Sequence, residues 1–168
     1  MNNATNMLIA IDDSAASNRA VTYVGSIMGG REDCRVCLWH ASPPLPRELL
    51  EFGGSSDPQH EAHEEARIHA EQARWLEAVG QAAEPVFTRA KRMLHEAGVS
   101  ADIVETQMTE TINTQDIVLD ILEAARAQQC GTVVVGRESL HGLRALLTSP
   151  LSDTLIRQAH DLTVWVVE

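Results

Sequence analysis

The sequence predicts a three-layer α/β/α fold built on a parallel sheet. Two observations carry that prediction. Five short apolar runs alternate with helix-like segments along the chain, the pattern of strands joined by crossover helices. Two of the runs, Val133-Val134-Val135 and Val164-Trp165-Val166-Val167, are continuous rather than alternating, which suits strands buried on both faces. A chain of 168 residues suffices for one domain with a sizeable core, so residues 1–168 are read as a single unit.

The first strand is expected at residues 7–11, an apolar run stopped by Asp12-Asp13-Ser14. Ser14 is suited to cap a helix over 14–27, and Gly29-Gly30 ends it. A second strand follows at 35–41. Residues 43–58 hold four prolines with Gly53-Gly54 and Ser55-Ser56, and are expected to form a mobile surface loop or lid. The stretch from about 58 to 97, rich in Ala, Glu, Arg and His, is helical, with a break expected near Gly80 or Pro85. A strand at 101–108 follows Gly98. Residues 114–129 are amphipathic, with Ile117, Ile121 and Ala125 in one stripe and Leu122 beside it. A strand at 132–135, a helix over 150–158 capped by Ser149 with Pro150 in its first turn, and a last strand at 162–167 complete the chain.

The formal net charge is −11, which argues against nucleic acid as a partner, because phosphate binding needs a basic face. No apolar run reaches the roughly 20 residues that span a bilayer, so no membrane association is expected. Residues 1–6 lack the basic start of a secretory signal. The expected location is the cytoplasm.

Three groups of side chains invite a chemical reading, and each has a plainer one. Cys34 and Cys37 form a C-x-x-C, but in a strand-like run residues i and i+3 face opposite ways, so the thiols are read as strand residues. His60, His63 and His69 lie among Glu61, Glu64 and Glu65, without the H-E-x-x-H spacing of a zinc hydrolase, and read as a solvated helix face; no metal site is assigned. His40, beside Trp39, is structural or pocket-lining. No G-x-S-x-G elbow is present, and no cysteine has a convincing base partner, so no catalytic residue is assigned.

Asp12 after an apolar first strand, a second strand ending in His40, and a Gly/Ser loop between the last two strands resemble the universal stress proteins of the UspA type. The resemblance runs from Leu8 to Val167 and includes the ending, a short helix and then a final apolar strand. It implies a five-stranded parallel sheet in order 3-2-1-4-5, with an adenine-nucleotide pocket at the switch point between strands one and four. Asp12 would lie beside the adenosine and backbone near Ala41 would meet the adenine. Ala10, Ile11, Val135 and Gly136 would border the pocket from the strand ends, with Leu151 and Ser152 beyond the loop.

Family members that bind ATP rest its phosphates on a loop reading Gly, two residues, Gly, nine residues, Gly, then Ser or Thr. Here the positions read Gly136, Ser139, Ser149 and Pro150. Glycine permits positive φ and close backbone approach to phosphate, and Ser139 and Ser149 add side chains at two of those places. Pro150 has neither a backbone N–H nor a hydroxyl. Each lost charge-assisted contact is worth about 1.5–3 kcal/mol, and every 1.4 kcal/mol is about tenfold in affinity. ATP binding is therefore expected to be weak or absent, with Arg144, Ser149 and Ser152 as compensating donors. Mg²⁺ is expected only together with a nucleotide. Asp12 and Asp13 also have a plainer reading, as turn residues at a strand end.

The resemblance implies a regulatory, stress-response role rather than a catalytic one, and a homodimer through residues 162–167, since some of the family pair by the last strand. A slow ATPase is the enzymatic alternative. An adenylating enzyme of related fold would carry S-G-G-x-D-S after the first strand, where this chain reads Asp12-Asp13-Ser14-Ala15-Ala16-Ser17. A nucleotide-free dimeric interaction module is the third reading.

Overall fold

The computed structural model describes residues 3–50, 58–111, 116–137 and 151–168. Five strands form one sheet: β1 (Asn3–Ala10), β2 (Val36–Ser42), β3 (Val104–Glu110), β4 (Cys130–Gly136) and β5 (Thr163–Val167). Every pairing is parallel, and the order across the sheet is β3-β2-β1-β4-β5. That is the expected 3-2-1-4-5 order, with the first strand central. Among the described residues four α-helices cover the faces: α1 (Ala15–Met28), α2 (Pro58–Glu96), α3 (Ile117–Ala127) and α4 (Leu151–Gln158).

Strand alternation divides the core in two. Met7, Ile9, Ile11, Val36, Leu38 and Val134 meet residues of α1 and α2, including Val24, Met28, Phe87 and Leu94. Leu8, Ala10, Cys37, Trp39, Val133 and Val135 meet α3 and α4 through Ile117, Ile121, Leu122 and Leu155. Neighbours in sequence thus serve different layers, as a period of two requires. Cys34 falls in the first cluster and Cys37 in the second, so the two thiols of the C-x-x-C do not meet. Burial pushes the Cys37 thiol up to about 12 and the Cys130 thiol to about 11. Nucleophilic or redox work needs a lowered value.

Several boundaries differ from the sequence reading. Residues 101–103 form a 3₁₀ turn ahead of β3, because the Ser100 hydroxyl accepts the Asp102 amide at 3.4 Å. α2 runs without the expected break at Gly80 or Pro85. Pro85 and Gln81, whose carbonyl loses its helical partner, are both exposed, so water can take the freed acceptor. The 39 residues of α2 span about 58 Å at 1.5 Å each, more than twice the roughly 23 Å of a seven-residue strand. Its C-terminal half carries Ala83, Val86, Phe87, Ala90 and Leu94 into the core, while in its N-terminal half Ile68 is the one buried apolar residue among those described.

The predicted loop at 43–58 is described as far as residue 50. Arg47–Leu49 form a 3₁₀ turn, tied down by Gln72 Nε2 donating to the Leu49 carbonyl at 2.7 Å. Residues 51–57 lie outside the described residues. No helix among the described residues is long and apolar enough to cross a membrane.

Candidate functional site

The site is the carboxyl edge of the sheet where β1 and β4 part. Ile9 stands opposite Val134, so Asp12 and Gly136, a few residues further along, leave the same edge. There the chain turns two ways: from β1 into α1 on one face, and from β4 towards α4 on the other. Open α/β sheets bind ligands at such a reversal.

The turn after β1 is closed by its own hydrogen bonds. Ser14 caps α1, its hydroxyl accepting the Ser17 amide at 3.0 Å. The Ser17 hydroxyl accepts the Asp12 amide at 3.0 Å. Asp12 Oδ1 accepts the Ser14 amide at 3.0 Å, an Asx turn that aligns the carboxylate with the strand end. Asp12 is therefore a turn-forming residue whatever else it does. Asp13 Oδ1 meets Arg89 Nη2 of α2 at 2.6 Å, which ties the turn to the long helix.

Beside this turn, Ile11 links β1 to β2 twice: its amide donates to the Trp39 carbonyl at 2.8 Å, and its carbonyl accepts His40 Nδ1 at 2.8 Å. Edge-on contact with Phe87, centroids 5.8 Å apart, holds the imidazole from α2. Trp39, fully buried on the opposite face, donates its indole N–H to Thr109 Oγ1 at 2.8 Å. Ser42, at the end of β2, bonds the Thr109 carbonyl at 3.3 Å.

The structure brings together four of the residues expected to border a nucleotide. Ala10, Val135 and Leu151 are buried in one cluster, and half-buried Ala41 packs against it. Ile11 is buried on the other face, so only its backbone belongs to this group. Gly136, opposite Val167, ends β4, and the next amide, of Arg137, is already donated to the Val167 carbonyl. Ser152 is half-buried in the first turn of α4. Ser139, Arg144, Ser149 and Pro150, which carry the phosphate-loop argument, lie outside the described residues.

Contacts that sequence spacing did not expose are the clamp of His40 on Ile11 and the pair Asp13–Arg89. Among the described residues no group of three or more His, Cys, Asp or Glu is placed to hold a metal ion. The histidine-rich turn of α2 is a solvated face: Arg67 bridges Glu64 and Glu71, and His60, His63 and His69 are exposed.

A model of the Universal stress protein family matches residues 3–168. Among solved structures, a universal stress protein in complex with cAMP is 16% identical with a TM-score of 0.59, over 98% of this chain and 96% of that one. The universal stress protein from Archaeoglobus fulgidus in complex with dAMP is 13% identical with a TM-score of 0.53, over 100% of both chains. UspA from Lactobacillus plantarum is 17% identical with a TM-score of 0.53, again over 100% of both. At these identities the likeness is one of fold. No curated protein matches the sequence significantly.

Proposed function

This chain belongs to the universal stress protein family, and from that premise we propose that it is a regulatory binding protein whose switch point takes the adenosine part of a nucleotide better than the phosphates. The observation that carries the reading is the clustering of Ala10, Val135 and Leu151 with Ala41 at the sheet edge, beside an Asp12 fixed by its own turn. Within that cluster half-buried Ala41 keeps surface at the strand end, where a purine edge would meet it. The relatives solved with cAMP and dAMP support adenine monophosphates as the ligand class.

The phosphate side is weaker in sequence. Gly136 is the one glycine kept of three, and Pro150 stands where a hydroxyl and an N–H are wanted. Equilibrium binding of adenosine, AMP, cyclic AMP, ADP and ATP tests the reading. AMP and adenosine should bind as well as ATP or better. The triple variant Ser139→Gly, Ser149→Gly, Pro150→Ser should gain at least about tenfold for ATP, the return of one charge-assisted contact, with a smaller gain for adenosine. Low-micromolar ATP binding by the unaltered chain, or no gain in the variant, overturns it. Mg²⁺ enters this reading only with a polyphosphate.

One observation favours a second role, homodimerisation by the last strand. β5 is an edge strand whose Val164, Trp165, Val166 and Val167 are half-buried rather than buried in the single chain. Trp165 leans edge-on against Tyr23, which is 45% exposed. An unpaired apolar edge is a template for another chain. Trp165→Glu should convert a dimer to a monomer in sedimentation velocity. A monomeric parent at high micromolar concentration counts against the dimer.

A further inference from the structure

A cleft lies next to the switch point on the α1–α2 face of the sheet. It has a volume of about 400 Å³ and runs between α2 and the end of β2, with Trp75, Val79, Ala82 and Val86 along the helix and His40 and Asp13 at the strand side. This is within the size range of small-molecule sites. None of its lining residues is Ala10, Ala41, Val135 or Leu151; the cleft opens on the α1–α2 layer, to which Val86 belongs, and those four residues on the other.

The walls and the polar handle define what fits. On α2 the lining positions recur every three or four residues, and three of them, Ala78, Ala82 and Ala83, carry only a methyl group, which leaves a slot beside the strand. Half-buried Trp75 supplies an aromatic face in it. The polar handle is His40. A backbone carbonyl can only accept, so the Nδ1 that meets the Ile11 carbonyl at 2.8 Å carries the ring hydrogen. In the neutral ring Nε2 is then an acceptor, and the Ile11 bond together with the Phe87 edge contact fixes where it sits. Asp13 at the rim is matched by Arg89 at 2.6 Å, so little net charge faces the slot. An apolar slot disfavours a charged guest.

We propose that this cleft binds a small, uncharged, planar aromatic molecule bearing an O–H or N–H donor, its ring against Trp75 and Val86 and its donor on His40 Nε2. Aromatic rings favour such offset or edge contacts. The donor requirement follows from the imidazole tautomer. The proposal stands on this cleft alone and does not depend on nucleotide binding.

Calorimetric titration of the full chain with 2-naphthol and with 2-methoxynaphthalene tests it. The two probes share a ring system, and only the first can donate. Saturable 1:1 binding of 2-naphthol is expected, about three- to tenfold tighter than the ether, the worth of one neutral hydrogen bond. His40→Phe should abolish that preference while leaving the ether's affinity in place. Ala82→Leu, at an exposed helix position, should fill the slot and weaken both probes at least tenfold. Saturating AMP should change neither affinity. Absent saturable binding, equal affinity for the two probes, undiminished binding in Ala82→Leu, or displacement by AMP each overturns the proposal. If His40→Phe fails to fold, the comparison of the two probes on the native chain and the Ala82→Leu result still decide it.

Discussion

The two faces of the sheet are covered by different kinds of helix, and the difference governs what each face offers. On one, α1 and the 39-residue α2 lie over Met7, Ile9, Ile11 and Leu38. On the other, α3 with 11 residues and α4 with 8 cover Leu8, Ala10, Trp39 and Val135. The long helix overshoots the strands and leaves a slot against the end of β2. The short helices start near the carboxyl edge and bring Leu151 down onto Ala10 and Val135. His40 and Ala41 are adjacent in the chain yet serve opposite faces, so the two proposed sites meet at one strand end without sharing a side chain.

Substitutions can break or sharpen that contrast, and the largest effect falls in the packed interior. Trp39→Ala removes a fully buried indole and its bond to Thr109, and should cost about 3–5 kcal/mol in urea denaturation, at the upper end of that range. Phe87→Ala, on the opposite face with 8% of its surface exposed and next to a ready-made cleft, should lie at the lower end, about 3 kcal/mol. Equal costs would mean that the slot does not loosen its face. Next comes a pair of ligand effects. Ala41→Leu should reduce AMP affinity by about tenfold, roughly 1.4 kcal/mol, and leave 2-naphthol binding unchanged, while Ala82→Leu does the reverse. A variant that weakens both ligands would merge the two sites.

Smaller effects belong to the turn that the faces share. Ser14→Ala removes the α1 cap and should cost about 1 kcal/mol, a drop in Tm of about 2–4 °C for a chain of this size. Arg89→Ala breaks the tie from α2 to Asp13, whose side chain is 81% exposed. It should cost less than about 1 kcal/mol, and the difference should fade in 1 M salt, where the Debye length is about 3 Å. A salt-resistant cost would show that the tie supports more than a surface ion pair.

The centre of the sheet was legible in the sequence because β1, β2 and β4 are buried on both sides, whereas the edge strand β5, expected to be buried on both faces, is only half-buried in the single chain. Val133-Val134-Val135 can be little else, whereas Cys34, read as a strand residue, lies two residues ahead of β2 and reaches the opposite core layer from Cys37. β3 was harder to delimit, since an edge strand reading Val-Glu-Thr-Gln-Met-Thr-Glu has a weak apolar signal and Ser100 starts a turn ahead of it. The break expected in α2 failed because the rule for proline concerns a backbone bond, and the consequence depends on whether the ring faces solvent, which composition does not reveal. The strand order and the grouping of Ala10, Ala41, Val135 and Leu151 were implied by the family resemblance, not by any spacing. His40 with Ile11 and Asp13 with Arg89 are 29 and 76 residues apart, and nothing local in the sequence marks contacts of that kind.

The cysteines have a practical consequence. All three, Cys34, Cys37 and Cys130, are buried, and burial is the largest influence raising each thiol above its ordinary range. Since the thiolate is the reacting species, the folded chain offers maleimides and disulfide reagents almost nothing to attack at neutral pH. The native protein is thus its own blank for site-directed labelling. Two cysteines placed at Leu76 on α2 and at Met108 on β3, 51% and 42% exposed, would carry a pair of dyes or spin labels without removal of the native thiols. Distances between such labels would report directly on how α2 lies over the sheet with and without a ligand in the slot.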